Sequence, residues 1–169
     1  EFVDKTSKTD FLEGTNIKVK YITNYNNPLS WTETYQFIKD LNPDIIVFQW
    51  SLAVQGIPLG RIARKLKANT DIEIIFDLHF VIQKESSSLD KKFTAYGIAP
   101  AHTYITHAYK TVDELKELYP NKKFVVNETG ERTINGEQTV IKLYHPIYDL
   151  FKPDPTFDVA AFKKETIPN

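Results

Sequence analysis

The chain has 169 residues, 41% of them hydrophobic, which is enough to bury the core of about one domain. Its formal net charge is -1, whereas a nucleic-acid binder needs clustered lysine and arginine to neutralise phosphates, so that function class is not expected. It contains no cysteine, which excludes disulfides and thiolate metal sites and is compatible with a reducing cytoplasm.

The first elements predicted along the chain are a strand and a helix. Residues 16–22 alternate apolar and charged side chains, the period-two pattern of a strand with one wetter face. Ser30 followed by Glu33 is a capping-box pattern, and apolar side chains follow at helical spacing. The pair Asn42-Pro43 ends this helix. The pattern therefore predicts an edge strand that leads into a helix.

Residues 44–79 form the stretch around which the rest of the chain is organised. Residues 44–50 are a nearly unbroken apolar run, residues 57–68 carry one apolar face at helical spacing, and residues 72–78 resume the strand pattern. Two buried strands joined by a helix form a right-handed crossover and run parallel. The carboxyl ends of both strands then lie at one edge of the sheet, where open α/β folds bind ligands.

The rest of the chain continues this alternation. The remaining predicted elements are a helix at 89–98, a short strand at 102–106, a helix capped by Thr111 and Glu114, strands at 124–129 and 138–144, and a terminal helical stretch at 158–165. Asn135-Gly136 could supply a hairpin turn between the last two strands. Alternation of strands and helices predicts an α/β fold, with a mostly parallel sheet.

Three of the four histidines directly follow a predicted strand, namely His79, His107 and His145. If these strands are parallel, the three residues gather at one edge of the sheet together with Trp50, whereas a terminal hairpin would send His145 to the opposite edge. Histidine can act as acid, base or hydrogen-bond donor near neutral pH. The alternative for each of these histidines is a structural role, either as a solvent-facing ring or as the cap of a strand end. His102 stands at the start of a strand and is assigned a structural role.

Glu85 lies a few residues after His79 and could orient its imidazole or bind a hydroxyl group. The alternative is an ordinary acidic residue of an exposed loop. No metal-ligand spacing, no Gly-x-Ser-x-Gly nucleophile motif, no dinucleotide glycine fingerprint and no Walker A motif occurs in the sequence. The histidines and Glu85 are therefore the candidates for chemistry.

Three stretches together resemble the amino-terminal half of glycosyltransferases of the GT-B fold, family 4 type. They are Asn42-Pro-Asp-Ile-Ile-Val-Phe-Gln-Trp50, Ile74-Ile-Phe-Asp-Leu-His79 and Tyr144-His-Pro-Ile-Tyr-Asp-Leu-Phe151. Ile105-Thr-His107 and the helix after it also fit. The resemblance implies that residues 1–155 form a Rossmann-like three-layer domain, one half of a GT-B fold, and that residues 156–169 are a connector or helix towards a second domain.

The resemblance also implies an activity, which is transfer of a sugar from a nucleotide sugar to a glycan or glycolipid acceptor without a metal or other cofactor. His79 would be catalytic and contact the transferred sugar. The substrate-binding residues would be Trp50, Glu85, His107 and His145. For Trp50 the role would be stacking on a sugar face, and core packing is the alternative.

The sequence departs from the family pattern in ways that bear on activity. The family's first strand and glycine-rich loop are not visible before residue 16, and the carboxy-terminal donor domain with its paired glutamates is absent. The segment 130–137 is also an unusual insertion. This chain is therefore expected to be a fragment that is inactive without the second domain.

The expected location is the cytoplasm. Lysine pairs at 91–92, 122–123 and 163–164 could touch the anionic inner face of a membrane, although ordinary solubilising charge is the alternative. Two other functions remain open. One is a non-catalytic Rossmann-like module that binds a carbohydrate or a protein, and the other is a small α/β enzyme that modifies sugars.

Overall fold

The computed structural model describes residues 14–82, 87–131 and 137–144. The helices are α1 (Pro28–Leu41), α2 (Gly56–Asn69), α3 (Ser88–Ile98) and α4 (Tyr109–Leu118), and the strands are β1 (Ile45–Trp50), β2 (Glu73–Leu78), β3 (Thr103–Thr106), β4 (Phe124–Asn127) and β5 (Gln138–Lys142). The five strands form one sheet in the order β1-β2-β3-β5-β4, and every pair of neighbours is parallel. This all-parallel sheet flanked by helices is consistent with a Rossmann-like three-layer domain and confirms the predicted α/β class.

One face of the sheet forms the core because side chains alternate between the two faces of a strand. On β2, Ile74, Phe76 and Leu78 are fully buried, while Ile75 and Asp77 between them are only partly buried. All four helices contribute to this core through Trp31, Ile62, Leu66, Ile98, Val112 and Leu115. Burial of one such side chain stabilises the fold by about 1.5–3 kcal/mol.

The opposite face is more open at its β1 edge. Ile45 and Val47 of β1 are 53% and 47% exposed, although their neighbours Phe48 and Trp50 are buried. Gln49 is exposed on the same open face. Polar side chains at the carboxyl ends of β1 and β2 can therefore stand on the sheet in contact with solvent.

Helix α1 begins earlier than the sequence pattern predicts. Its N-cap is Asn27, whose side-chain oxygen accepts a hydrogen bond from the Leu29 N–H, and proline occupies the first turn. Ser30 is buried in that turn and its hydroxyl donates to the carbonyl oxygen of Asn27, so the predicted Ser30 capping box is wrong. The predicted end is confirmed, because Asn42 adopts a left-handed conformation with φ 44°.

The predicted capping box at Thr111 and Glu114 is also wrong. Helix α4 begins at Tyr109, which places Thr111 inside the first turn with its side chain buried. The carboxylate of Glu114 instead accepts hydrogen bonds from the N–H groups of Val81 and Ile82, at 3.2 and 3.1 Å. Glu114 thus attaches the loop after β2 to α4.

The strand predicted over residues 16–22 does not form. Alternation alone does not make a strand, because a strand also needs a neighbour with which to exchange backbone hydrogen bonds. Here Ile17, Val19 and Tyr21 are 61%, 52% and 70% exposed. The ammonium group of Lys20 lies 4.5 Å from the ring centroid of Phe37, so this segment passes beside α1 and is not part of the sheet.

The hairpin predicted between the last two strands is wrong as well. Strands β4 and β5 are neighbours, but they run parallel, with Phe124 opposite Gln138 and Asn127 opposite Ile141. The proposed turn Asn135-Gly136 and the predicted helix at 158–165 lie outside the described residues. In the described part of the chain, no helix has the length and apolar character needed to cross a bilayer.

Candidate functional site

The parallel register brings the ends of the first three strands to one edge of the sheet. Trp50 pairs with Leu78, and Leu78 pairs with Thr106, so His79 and His107 each follow a strand end at the same level. The two imidazole rings are nearly parallel, with an interplanar angle of 25° and 5.6 Å between their centroids. The prediction that these two histidines gather at one edge is confirmed.

Two residues that the sequence analysis did not select connect these histidines. Asp77 stands opposite Gln49 on the neighbouring strand, and its Oδ2 accepts a hydrogen bond from Gln49 Nε2 at 2.9 Å. The other carboxylate oxygen of Asp77 lies 2.9 Å from His107 Nε2, and Gln49 Oε1 lies 3.0 Å from His79 Nε2. We call these four residues, Gln49, Asp77, His79 and His107, the rim cluster.

The carboxylate of Asp77 fixes the positions of the protons in the rim cluster. An ionised carboxylate only accepts hydrogen bonds, so His107 Nε2 must carry the proton that it shares with Asp77. The Gln49 amide must turn its NH2 group to Asp77, which turns its carbonyl oxygen to His79. His79 Nε2 is then also a donor, and in both neutral rings Nδ1 is the basic nitrogen.

Exposure differs along the rim cluster. The side chains of Asp77 and His107 are 14% and 15% exposed, whereas His79 is exposed to solvent. A charge-assisted hydrogen bond that is shielded from water is stronger than one at the surface. The Asp77–His107 pair is therefore the fixed end of the rim cluster, and His79 is the end that a ligand can reach.

This arrangement suits acid–base or hydrogen-bonding chemistry on a polar substrate. A carboxylate that accepts from an imidazole sets its tautomer and orientation and stabilises the imidazolium form. His79 is oriented by an amide and exposed at the carboxyl edge of a parallel sheet, where ligands bind in open α/β folds. In residues 14–82, 87–131 and 137–144, no group of three or more histidine, aspartate and glutamate side chains is placed to hold a metal ion.

Trp50 does not have the position that sugar stacking requires. Its side chain is 1% exposed and lies on the core face of the sheet, on the opposite side from Gln49. The indole packs edge-to-face against Phe76, with 6.3 Å between ring centroids, and lies close to Gly97. Trp50 is therefore a core residue, which was the alternative to its stacking on a sugar.

The other sequence-predicted residues fall in different places. Glu85 and His145 lie outside the described residues. His102 lies at the amino edge of the sheet, where its Nδ1 accepts the backbone N–H of Ile74 at 2.9 Å, in agreement with a structural role. Gln49 and Asp77 had a signal in the sequence, since each is a polar residue that follows an apolar run and precedes the last residue of its strand.

Comparisons of the chain with protein-family models, with curated proteins and with solved structures find no match. The function of the rim cluster must therefore follow from its own geometry and from the motifs of the sequence.

Proposed function

We propose that the chain is the acceptor-side domain of a glycosyltransferase, which moves a sugar from a nucleotide sugar to a glycan or glycolipid acceptor. The observation that carries the proposal is the rim cluster, in which an exposed and oriented histidine stands at the carboxyl edge of a parallel sheet. The resemblance of residues 42–50 and 74–79 to family 4 glycosyltransferases supports the same function.

His79 is the proposed catalytic residue that contacts the sugar. Its Nε2–H is directed to Gln49, so Nδ1 is the nitrogen that accepts a hydrogen bond from a sugar hydroxyl. When protonated, the same nitrogen donates to a sugar oxygen, and the imidazolium charge also stabilises negative charge that develops nearby. The ring thus serves as a hydrogen-bonding group that can also transfer a proton.

Gln49, Asp77 and His107 are positioning residues in this proposal. Asp77 holds the Gln49 amide in one orientation, and that amide fixes the His79 ring. Transfer reactions depend on such alignment, because a well-oriented group avoids the entropic cost of finding its geometry during the reaction. His107 keeps the Asp77 carboxylate in place from the third strand.

The proposal assigns the nucleotide sugar to a second domain, as the resemblance implies. The chain on its own is therefore expected to transfer no sugar from UDP-, GDP- or ADP-sugars. Measurable turnover of a nucleotide sugar by the isolated 169-residue chain would contradict this part of the proposal.

The role of His79 is tested by His79→Ala in the complete gene product. We expect kcat to fall about 10²-fold or more, the usual contribution of a positioned acid–base group, while the thermal midpoint stays close to that of the wild type. A control is Lys116→Gln, an exposed lysine of α4 that pairs with Asp113, which is expected to keep its activity. Unchanged turnover of the His79→Ala enzyme would remove this residue from the mechanism.

A second candidate function is a non-catalytic module that binds a carbohydrate or a protein through the same edge. It is favoured by exposed apolar side chains on the loops after β1 and β2, since Leu52, Val54 and Phe80 are 50%, 54% and 59% exposed. For such a module, Phe80→Ala would abolish binding to its partner while His79→Ala would have little effect. The glycosyltransferase proposal expects the larger loss from His79→Ala.

A further inference from the structure

A second polar site lies at the opposite, amino edge of the sheet. An open groove of ≈ 670 Å³ is bordered there by His102 before β3, Lys123 before β4 and Gln138 at the start of β5. The groove is large enough for a small organic ligand, for which pockets of about 300–1,000 Å³ are typical. Its position separates it from the rim cluster, which stands at the carboxyl edge of the same strands.

The groove carries an excess of positive charge. Among the described residues that line it, three are lysines, Lys67, Lys122 and Lys123, and one is a carboxylate, Glu137. Among the ion pairs within the described residues, none includes any of these three ammonium groups. Like charges that share one groove repel each other, and an anion placed between them would relieve that repulsion.

Burial and a neighbouring charge both act on the ammonium group of Lys122. Burial lowers the pKa of its ammonium group, and the neighbouring charge of Lys67 lowers the pKa further. Lys67 and Lys122 are each fixed by another contact, since Lys67 Nζ donates to the Pro100 carbonyl at 3.1 Å and Lys122 Nζ lies 4.3 Å from the centroid of the Tyr119 ring. The positive charges are thus held together by the fold.

Uncharged donors complete the groove. His102 borders the groove, and its Nδ1 accepts the Ile74 N–H, so the neutral ring carries its proton on Nε2. Asn121 adds a side-chain amide to the lining. Ammonium groups with neighbouring amide and imidazole donors match a phosphate group, which accepts several hydrogen bonds and carries up to two negative charges.

We propose that this groove at the amino edge, bordered by Lys67, Lys122, Lys123 and His102, binds a small phosphorylated anion. Lys67 and Lys122 neutralise the phosphoryl charge, and the rest of the groove accommodates the group to which the phosphate is attached. The site is independent of the proposed sugar transfer, because none of its residues belongs to the rim cluster.

The proposal is tested by titrating the ¹⁵N-labelled chain with pyrophosphate and with inorganic phosphate, followed by amide chemical shifts. We expect saturable shifts at residues 121–123 and 101–102, with a dissociation constant for pyrophosphate of about 1 mM or lower. In Lys67→Gln/Lys122→Gln the affinity should fall about tenfold or more, because two charges that face the anion are lost. The matched control is Lys116→Gln on α4, a lysine paired with Asp113, which should leave the affinity unchanged.

Phosphate could also reach the groove as a lipid headgroup, so a second arm uses sedimentation with phosphatidylglycerol vesicles. The proposal requires that the soluble anions bind. Vesicle binding without binding of pyrophosphate would overturn it and indicate a membrane-facing surface. No saturable shifts in the wild type, or equal affinity in wild type and double variant, would overturn it as well.

Discussion

Asp77 holds the rim cluster together, because its two carboxylate oxygens accept hydrogen bonds from partners on both neighbouring strands. Gln49 donates from β1, and His107 donates from the residue that follows β3. The orientation of His79 therefore depends on Asp77 through the Gln49 amide.

Gly97 is a residue at which a single methyl group has a large predicted effect. A Cβ at this position would lie 2.7 Å from the Gly56 Cα and 2.7 Å from two ring carbons of Trp50. Gly→Ala inside a helix normally stabilises by about 1 kcal/mol, but overpacking against backbone and a buried ring costs about 1–3 kcal/mol.

We therefore expect Gly97→Ala to lower the free energy of unfolding, measured by urea denaturation. Lys92→Ala on an exposed position of the same helix is the control and should change it by less than about 0.5 kcal/mol. A higher urea midpoint for Gly97→Ala than for the wild type would show that α3 does not approach α2 and Trp50 so closely.

Glu128 makes a contribution to stability that depends on pH. Its carboxylate accepts hydrogen bonds from the Tyr109 hydroxyl at 2.8 Å and from the buried Lys142 ammonium at 3.2 Å. The Tyr109 hydrogen bond, and then that of Lys142, lowers the pKa of Glu128 below its ordinary value of 4.5. A lowered pKa in the folded state stabilises the fold above the unfolded-state pKa, and this stabilisation is lost as the pH falls through the folded-state value.

The prediction concerns the difference in free energy of unfolding between the wild type and Glu128→Gln. The wild type should be the more stable at pH 7, and the difference should shrink as the pH is lowered from about 5 to about 3. Urea denaturation of both proteins at several pH values measures this difference. The effects of the other titrating groups cancel in it, because both proteins contain them. A difference that stays constant over this pH range would show that the ionised form of Glu128 does not stabilise the fold.

At the scale of elements, α4 is attached to the loop that carries His79. Glu114 accepts the backbone N–H groups of Val81 and Ile82, and it is only 13% exposed. Glu117, one turn later, pairs with Lys91, but both side chains of that pair are well exposed. Glu114 thus fixes a loop to the helix, whereas Glu117 makes an ordinary surface ion pair.

We expect Glu114→Ala to destabilise the protein by about 1–3 kcal/mol, because it leaves two backbone donors without their acceptor. Hydrogen exchange of the Val81 and Ile82 amides should become faster in this variant. Glu117→Ala should cost no more than about 1 kcal/mol, as is usual for an exposed ion pair. Equal effects of the two substitutions on exchange and stability would contradict the assigned role of Glu114.

The elements that sequence patterns predict well are those whose pattern reflects burial. The apolar runs 44–50 and 72–78 become β1 and β2 with ends shifted by one residue, because the sheet core requires those side chains. Helix starts are predicted less well, since an N-cap depends on local backbone geometry and Asn27 competes with Ser30 for that role. The strand predicted at 16–22 fails because alternation does not reveal whether a neighbouring strand is available.

At the candidate site, the sequence predicts positions better than contacts. Parallel strands place His79 and His107 at one edge, and strand ends can be located from the pattern. The face to which Trp50 points depends on which side of the sheet is covered, and the Gln49–Asp77 hydrogen bond depends on register between strands. Neither feature can be deduced from the sequence alone, because both depend on how the strands pair and on which face of the sheet is covered.

At the scale of the whole molecule, the rim cluster exists only if β1, β2 and β3 run parallel in the observed register. Gln49 belongs to β1 and Asp77 to β2, while His79 follows β2 and His107 follows β3. A slip of β2 by one residue would turn Asp77 to the core face and break every hydrogen bond in the cluster. The cluster is therefore a sensitive reporter of the sheet as a whole.

The most direct test is a long-range ¹H–¹⁵N NMR spectrum of the histidine rings, recorded at a pH where both are neutral and assigned with His79→Gln and His107→Gln. The hydrogen-bond directions set by Asp77 predict that His79 and His107 are both the Nε2–H tautomer in the wild type. In Asp77→Asn, the ring signals of both histidines should change, those of His79 through the Gln49 amide. An Nδ1–H tautomer for either ring in the wild type, or His79 signals that ignore Asp77→Asn, would contradict the rim cluster and the function proposed for it.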